Sequence, residues 1–395
     1  MILKDAQDIV AGLLSPISYD TFFTEHVSKK PLALLGEKSD LRTAIVGDDP
    51  KASLLAGYER YAPTLTCHIR EPKGQPPVPR SVTGPDEFHQ LIREYHAGDY
   101  TVRIPEVTNL SPALNRVTRA LELLIGNPVG VVAFWSAEHA EAPVHHDEID
   151  VIVIQLHGTK RWFISKNPPT LPNNWKSLGE KEPQLGDHDV LDVGPGDLLY
   201  VPRGTPHTVQ STGESVHLAL GFVPLTAREA IAAALNFLSD LDRPLRENLG
   251  LRADSYTRNM DARTILDQIR SGVAKLHHYC QSDAFIRDAL AHRHSLMLHD
   301  LDKLPRQTAS APLTINCKVR HSELAIARLN VTPDILDFRQ PGEQILVHSS
   351  VEKSLRFIKD TPEFRVAEIP GDIGDDIRLA LASRLVSSGY LQALA

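Results

Sequence analysis

The pattern of hydrophobic and polar positions changes twice along the chain. Short helical and extended patterns come first, and the clearest is Ser111–Gly126, where apolar residues recur at helical spacing and a glycine follows the last of them. From Val129 to Val223, short apolar runs alternate with turns that contain glycine or proline. After Pro224 the spacing becomes helical, and beyond about Thr308 strand-like runs precede a closing helix predicted over Ile373–Leu394.

The central region is predicted to consist of short strands joined by tight turns. These strands span residues 129–135, 149–156, 160–164, 189–193, 198–202 and 216–222. Many short strands of this kind are typical of an antiparallel barrel or jelly roll. A length of 395 residues suits two or three domains. We therefore predict a mainly β domain with its N-terminal lead-in over residues 1–224, a helical domain over 225–305 and a small mixed α+β module over 306–395.

The composition and charge of the chain indicate a folded protein and argue against one that binds nucleic acid over a broad surface. A hydrophobic content of 42% with 23% charged residues is typical of a folded, well-cored protein. The formal charge of -8 argues against broad electrostatic binding to nucleic acid. Cys67, Cys280 and Cys317 lie far apart, which fits a reducing compartment and offers neither a zinc knuckle nor a disulfide framework.

The start of the chain does not have the pattern of a signal peptide, because Asp5 and Asp8 interrupt the region where an apolar run is needed. No segment reaches the roughly 18 to 20 apolar residues of a membrane span. We therefore expect a cytoplasmic protein.

The candidate chemistry lies in the β region, where His145 and Asp147 are followed sixty residues later by His207. Two imidazoles and one carboxylate on one face of a metal are the ligand set of non-haem iron(II) oxygenases, which leave the opposite face open. Alternate residues of a strand point to the same side, so His145 and Asp147 share a face and His146 points away. Since the chain has 18 histidines, the motif also arises by chance, and a cupin metal site without redox chemistry fits it equally well.

A second candidate is Lys160, which begins the strand after the turn at 156–159. An enzyme that uses 2-oxoglutarate needs a cation deep in its barrel to pair with the distal carboxylate of that cosubstrate. Lys160 and Arg161 are adjacent in a strand, so only one of them can point inward. For any single lysine, a solvated surface position is the ordinary alternative.

Two runs, Ala142–Trp162 and Pro195–His207, resemble the core of the JmjC ribosomal oxygenases, which are protein hydroxylases of the cupin fold. The lead-in Phe22–Leu32 is similar to their N-terminal segment, and the resemblance covers most of residues 18–224. It implies a double-stranded β-helix (jelly roll) followed by a helical dimerisation domain and a winged-helix-like module. It also implies that His145, Asp147 and His207 hold iron(II).

The same resemblance assigns expected roles to three further residues. Lys160 is expected to anchor 2-oxoglutarate, with O2 as the second cosubstrate. Ser136 and His217 fall at positions where the family places polar cosubstrate contacts; the alternatives are a turn serine and a hydrogen-bonded core histidine. His146 and Glu148 are expected to face solvent rather than substrate.

The resulting hypothesis is a homodimeric iron(II)- and 2-oxoglutarate-dependent hydroxylase that acts on a protein or peptide side chain. By resemblance, the target is Arg or His of a ribosomal protein; a peptide natural product or small molecule is an alternative. A metal-dependent cupin that does not use 2-oxoglutarate and a non-catalytic binding module are the rivals from other classes. The segment 360–376 is acidic, so we expect no direct binding of nucleic acid by the C-terminal module and assign it a structural or partner-binding role. We expect no membrane partner, because no apolar run is long enough to span one.

Overall fold

The computed structural model describes residues 1–37, 39–70, 74–172, 183–247, 262–306 and 312–394, with backbone only at 262–264. The chain forms two compact units, Met1–Pro224 and Leu225–Ala395. Residues 248–261 of the predicted helical domain and 307–311, at the start of the predicted C-terminal module, lie outside the described residues. Among the described residues, no helix combines the length and apolar character needed to cross a bilayer.

The first unit places helices around two β-sheets. Its helices are α1 Leu3–Leu14, α2 Tyr19–Thr21, α3 Asp40–Ala44, α4 Pro50–Ala56, α5 Tyr58–Tyr61, α6 Pro85–His96 and α7 Pro112–Ile125. Its strands are β1 Leu32–Leu34, β2 Thr66–His68, β3 Thr101–Ile104, β4 Gly130–Ser136, β5 Asp150–His157, β6 Lys160–Ser165, β7 His188–Val193, β8 Leu198–Val201, β9 His207–Ser211 and β10 Ser215–Phe222.

Helix α7 shows how local sequence sets the boundaries. The Ser111 hydroxyl accepts a hydrogen bond from the Leu114 amide, which satisfies one of the free N–H groups of the first turn. Pro112 follows as the first helical residue, where its missing N–H is not needed. Gly126 ends the helix with φ of 72°, a left-handed conformation that glycine adopts without strain. The helix predicted over Ser111–Gly126 is therefore confirmed.

The two sheets form the predicted jelly roll. The larger has the order β1-β8-β5-β10-β4-β3-β2 and the smaller β7-β6-β9, with antiparallel pairing throughout. Strand β5 is buried on both faces: Ile152 and Ile154 join the main core, whereas Val151 and Val153 face the barrel interior with Trp162. Burial on both sides explains why this strand reads as an unbroken apolar run rather than an alternating one.

The second unit combines a helical part with a mixed α+β part. Its helices are α8 Ala227–Leu241, α9 Ala262–Tyr279, α10 Asp283–Asp300, α11 Glu352–Asp360 and α12 Asp375–Ser387. Its strands are β11 Lys318–His321, β12 Arg328–Val331, β13 Ile335–Gln340, β14 Glu343–His348, β15 Glu363–Arg365 and β16 Leu391–Ala393. The strands form two sheets, β15-β11-β16 and β12-β13-β14.

The closing helix is shorter than the sequence pattern predicts. Instead of running over Ile373–Leu394, α12 ends at Ser387, and Gly389 adopts φ of 83°. This turn lets Leu391–Ala393 pair antiparallel with β11. The apolar residues after Ser387 are therefore buried by a strand pairing, which helical periodicity alone does not reveal.

Candidate metal centre and adjoining cavity

His145 and His207 face each other across an antiparallel backbone bridge. The amide of His145 donates to the carbonyl of His207 at 3.0 Å, and the amide of His207 donates to the carbonyl of His145 at 2.8 Å. His207 begins β9. The strand alternation applied to His145 and Asp147 assumed that both lie in a strand, which is wrong, because β5 starts only at Asp150. The backbone at Asp147 instead turns toward the Gly204 amide, which donates to its carbonyl at 2.8 Å.

The three side chains converge although their segment is not a strand. One potential ligand atom of each of His145, Asp147 and His207 lies within 4.8 Å of the other two. The distance from His207 Nε2 to Asp147 Oδ2 is 3.7 Å. His146 is not among the described residues that line the adjoining cavity. The choice of His145 over His146 by alternation therefore agrees with this geometry, because extended backbone alternates even outside a sheet.

Backbone carbonyls orient both imidazoles. His145 Nδ1 lies 2.8 Å from the Pro143 carbonyl, and His207 Nδ1 lies 3.0 Å from the Thr205 carbonyl. A carbonyl only accepts hydrogen bonds, so each Nδ1 carries the proton and each Nε2 keeps a free lone pair. Burial, together with the nearby His145, lowers the pKa of His207 to about 4. Both rings are therefore arranged to bind a metal through Nε2.

Lys160 points into the barrel, whereas Arg161 points out. Lys160 is 1% exposed, and its Nζ donates to Ser136 Oγ at 2.7 Å. Arg161 forms a bidentate pair with Asp192 on the surface. Burial lowers the pKa of Lys160 to about 7, and none of the described carboxylates forms an ion pair with it. A buried ammonium without an anionic partner is unfavourable, which indicates that this position receives an anion.

Two further buried nitrogen atoms point to a ligand in the same place. His217 Nδ1 and Trp162 Nε1 have no hydrogen-bond partner among the described residues, and both side chains line the cavity. His217 stacks on Phe134 with ring centroids 4.9 Å apart, and burial lowers its pKa well below the ordinary value. Buried polar atoms are normally satisfied, so these two nitrogens are available to a bound molecule.

The cavity has a volume of about 290 Å³. Polar and charged side chains that line it are His68, Thr101, Arg103, His145, Asp147, Lys160, Trp162, His207 and His217. Sequence reasoning did not identify Trp162, although it is two residues after Lys160 in β6, a spacing that places both on one face. It also did not identify His68 and Arg103, because they lie on β2 and β3, far from the motif in sequence.

A buried carboxylate holds the turn that precedes His207. Asp150 accepts hydrogen bonds from the Tyr200 hydroxyl at 2.6 Å and from the Arg203 amide at 3.0 Å. The next residue, Gly204, has φ of 76° and contacts the segment at 170–172 closely. This turn therefore controls the positions of both Asp147, through its carbonyl, and His207.

We expect Gly204→Ala to weaken metal binding by about tenfold or more, the range found when groups that orient metal ligands are altered. A Cβ at this position would lie 2.4 Å from Thr170 Oγ1 and 2.8 Å from the Leu171 amide nitrogen, and the positive φ adds strain. Titration of the purified variant with cobalt(II) measures the effect. Gly213→Ala is the matched control, because no heavy atom lies within 4 Å of its added Cβ. Equal cobalt(II) affinities for the two variants would refute a positioning role for Gly204.

Comparison with known proteins agrees with this architecture. Residues 108–230 match the family model of the JmjC domain. Ribosomal oxygenase 2 of Mus musculus is 29% identical over 298 residues, covering 65% of this chain and 59% of that protein. The bifunctional lysine-specific demethylase and histidyl-hydroxylase NO66 of Drosophila persimilis is 31% identical over 267 residues, covering 61% of this chain and 37% of that protein.

A solved structure extends the similarity to nearly the whole chain. The ribosomal oxygenase YcfD from Escherichia coli, in complex with cobalt and 2-oxoglutarate, has a TM-score of 0.55 and 20% identity and covers 96% of this chain and 99% of that one. At this identity the similarity establishes the fold. The match of residues 108–230 to the JmjC family model and the fold shared with this solved structure confirm the predicted fold class. It spans about half the length of the curated relatives that it matches.

Proposed function

We propose that the first unit is an iron(II)- and 2-oxoglutarate-dependent oxygenase that hydroxylates a protein or peptide side chain. The observation that carries this proposal is the buried Lys160, which has no described anionic partner and lies on the same cavity as His145, Asp147 and His207. A metal site alone fits many cupins. A cation in the same cavity adds a site for a carboxylate-bearing cosubstrate.

The residues present fit the proposed metal. Two imidazoles whose Nδ1 atoms are held by backbone carbonyls, together with one carboxylate, are the ligand set that suits non-haem iron(II). When bound, iron(II) and 2-oxoglutarate supply the oxidising chemistry with O2. The protein contributes ligand orientation through the Pro143 and Thr205 carbonyls and an apolar lining formed in part by Val132, Val153 and Val209.

The residues around Lys160 fit the cosubstrate. Lys160 would pair with its distal carboxylate, and Ser136, which already accepts from Lys160 at 2.7 Å, would hold the ammonium in place. Thr101 Oγ1 lies 2.9 Å from Ser136 Oγ and completes this polar end of the cavity. The unpartnered His217 Nδ1 and Trp162 Nε1 would offer hydrogen bonds to the bound molecule.

The affinity for 2-oxoglutarate should depend on pH. The carboxylate binds the ammonium form of Lys160, whose pKa in the unliganded protein is lowered to about 7. Below pH 7 the ammonium form of Lys160 dominates, so the Kd for 2-oxoglutarate should be nearly constant. Above pH 7 the Kd should rise by about tenfold per pH unit, because binding must then take up a proton. Calorimetry with cobalt(II)-loaded protein at pH 6.5 to 9, in buffers of different ionisation enthalpy, measures both the Kd and the proton uptake.

Lys160→Arg serves as the control for this pH dependence. A guanidinium stays protonated throughout that pH range, so the variant should bind more weakly but without the rise in Kd above pH 7. The same rise in both proteins would assign the titration to another group. A Kd for wild-type protein that does not change with pH would contradict the proposed pairing.

The proposed activity is tested by incubating the full chain with iron(II), 2-oxoglutarate, O2 and candidate proteins or peptides. Succinate formation, together with a gain of one oxygen on a defined residue by mass spectrometry, is the expected result. Absence of 2-oxoglutarate turnover in anaerobically iron-loaded protein would favour a cupin that does not use this cosubstrate. Loss of turnover without loss of metal binding in Lys160→Ala would support the proposed division of roles.

Two finer features extend the proposal. The relatives are called ribosomal oxygenases and, in one case, a lysine-specific demethylase and histidyl-hydroxylase, which supports a ribosomal protein with a His target as the first substrate to test. An Arg target is the alternative that the sequence resemblance implies. In the helical part, Ile231 and Leu235 on α8 and Ile269 and Val273 on α9 are exposed apolar residues, which supports a homodimer. A molar mass near twice 43.7 kDa by light scattering is expected, and a monomer mass would refute the dimer. A cytoplasmic location stays a prediction.

A further inference from the structure

Arg103 lies on the cavity face of the larger sheet. In β3 it stands opposite Phe134 of β4, and Phe134 in turn stands opposite His217 of β10. Directly opposed residues of antiparallel strands point to the same face, so Arg103, Phe134 and His217 form one row across the sheet. All three line the cavity. Arg103 is thus built into the wall of the proposed active site.

The row of Arg103 is distinct from the row that contacts Lys160. Thr101, Ser136 and Ser215 form the neighbouring row, and Ser136 is the residue that accepts from Lys160. The two rows are two residues apart along β4, which is roughly 7 Å in an extended strand. The position of Arg103 is therefore displaced from the polar end where the distal carboxylate of 2-oxoglutarate is proposed to bind.

The guanidinium of Arg103 has no hydrogen bond or ion pair with any described residue, and its side chain is half-buried. Its neighbours in the cavity do not neutralise it. Among the described lining residues, Asp147 alone carries a carboxylate, and the proposed metal uses it. His68 also lines the cavity, but it offers Arg103 no negative charge. Burial, followed by repulsion from Lys160, lowers the pKa of His68 to about 4, so its ring is neutral near pH 7.

The charges of the loaded site leave Arg103 uncompensated. Iron(II) held by Asp147 would carry one net positive charge, Lys160 would add a second when protonated, and the two carboxylates of bound 2-oxoglutarate would balance these two. A substrate with a guanidinium or ammonium group would meet the guanidinium of Arg103 in a partly desolvated cavity, where like charges repel strongly. A substrate with a hydrogen-bond acceptor would instead satisfy its five N–H donors.

We infer that Arg103 is a specificity-determining residue that donates hydrogen bonds to an acceptor on the substrate side chain and excludes cationic side chains. The inference rests on the proposed function and narrows its substrate class. An imidazole, amide or carboxylate side chain fits the cavity, whereas an arginine or lysine side chain does not. Between the two targets considered above, His is therefore favoured over Arg.

The test uses four synthetic peptide sublibraries with randomised flanks and a fixed central Arg, His, Asn or Asp. Each is passed over the immobilised 395-residue chain loaded with cobalt(II) and 2-oxoglutarate under nitrogen, and retained peptide is quantified by mass spectrometry. Iron(II)-loaded protein with O2 then reports oxygen incorporation. Wild-type protein should retain the central-Arg sublibrary at least about tenfold less than the best of the others, and Arg103→Glu should reverse that order. Arg103→Gln, a milder change, should reduce the discrimination without reversing it.

Arg93→Glu, the same charge reversal on an exposed residue of α6, is the matched control and should leave the preference unchanged. Preferential retention of the central-Arg sublibrary by wild-type protein, or an unchanged preference in both Arg103 variants, would overturn the inference. A loss of 2-oxoglutarate affinity in Arg103→Gln as large as that in Lys160→Met would make Arg103 a cosubstrate ligand instead. A wild-type protein that binds no 2-oxoglutarate would refute the proposed function itself, which is a separate result.

Discussion

Replacement of His207 by alanine is expected to weaken cobalt(II) and iron(II) binding by at least about 100-fold and to reduce turnover to background, because a ligand is removed rather than merely misoriented. His207 contributes one of three ligand atoms and lies 3.7 Å from the Asp147 carboxylate, so its loss leaves only His145 and Asp147. Calorimetric titration with cobalt(II) measures the affinity directly, independently of any substrate.

His146→Ala is the matched control for this prediction. It removes an imidazole from the same motif, but this residue is not among the described residues that line the cavity. Its metal affinity should stay within about threefold of wild type. Because His207 is buried against Trp162, its truncation could also disturb packing, so Asp147→Asn is measured in parallel. Wild-type metal affinity in both His207→Ala and Asp147→Asn would eliminate this metal centre.

Replacement of Lys160 by methionine is expected to weaken 2-oxoglutarate binding by about 100-fold while cobalt(II) binding persists. Charge-assisted hydrogen bonds contribute about 1.5 to 3 kcal/mol each, and the buried site offers the anion no water in exchange. The side chain of methionine occupies a similar volume, so the cavity wall is retained. Competition between 2-oxoglutarate and a fluorescent analogue on the cobalt(II)-loaded protein measures the change.

The same variant should be at least as stable as the wild type. Because burial lowers the pKa of Lys160 to about 7 from the ordinary 10.5, the unfolded chain binds more protons in this interval, and the contribution of Lys160 to stability increases as the pH rises. Lys160→Met removes this pH dependence of stability. It also removes the free-energy cost of burying the ammonium, a cost that applies at low pH. Arg161→Met, which breaks only a surface pair with Asp192, should leave 2-oxoglutarate affinity unchanged. A Lys160→Met protein that binds 2-oxoglutarate as wild type does would rule out the proposed anchor.

Much of the fold of the first unit follows from local pattern. Each of the short runs predicted over 129–222 contains or overlaps a strand of the structure, because alternation and turn residues report which backbone segments can be buried. A spacing of two residues grouped His145 with Asp147, and adjacency required Lys160 and Arg161 to point to opposite sides. The family resemblance then assigned the inward position to Lys160. These inferences succeeded because extended backbone alternates its side chains whatever it pairs with.

The sequence, through its local pattern and the family resemblance that it carries, therefore determined the fold class, the candidate ligand set and the inward lysine of this protein. The tertiary structure decided what surrounds them. Arg103 and His68 enter the cavity because β2 and β3 extend the larger sheet beyond β4, a pairing between segments that are distant in the chain. Lys160 lacks a described anionic partner, and Trp162 Nε1 and His217 Nδ1 lack any described hydrogen-bond partner, which is likewise a property of three-dimensional packing. Local periodicity specifies the direction in which a side chain points, but only the closed barrel determines which charges it meets there.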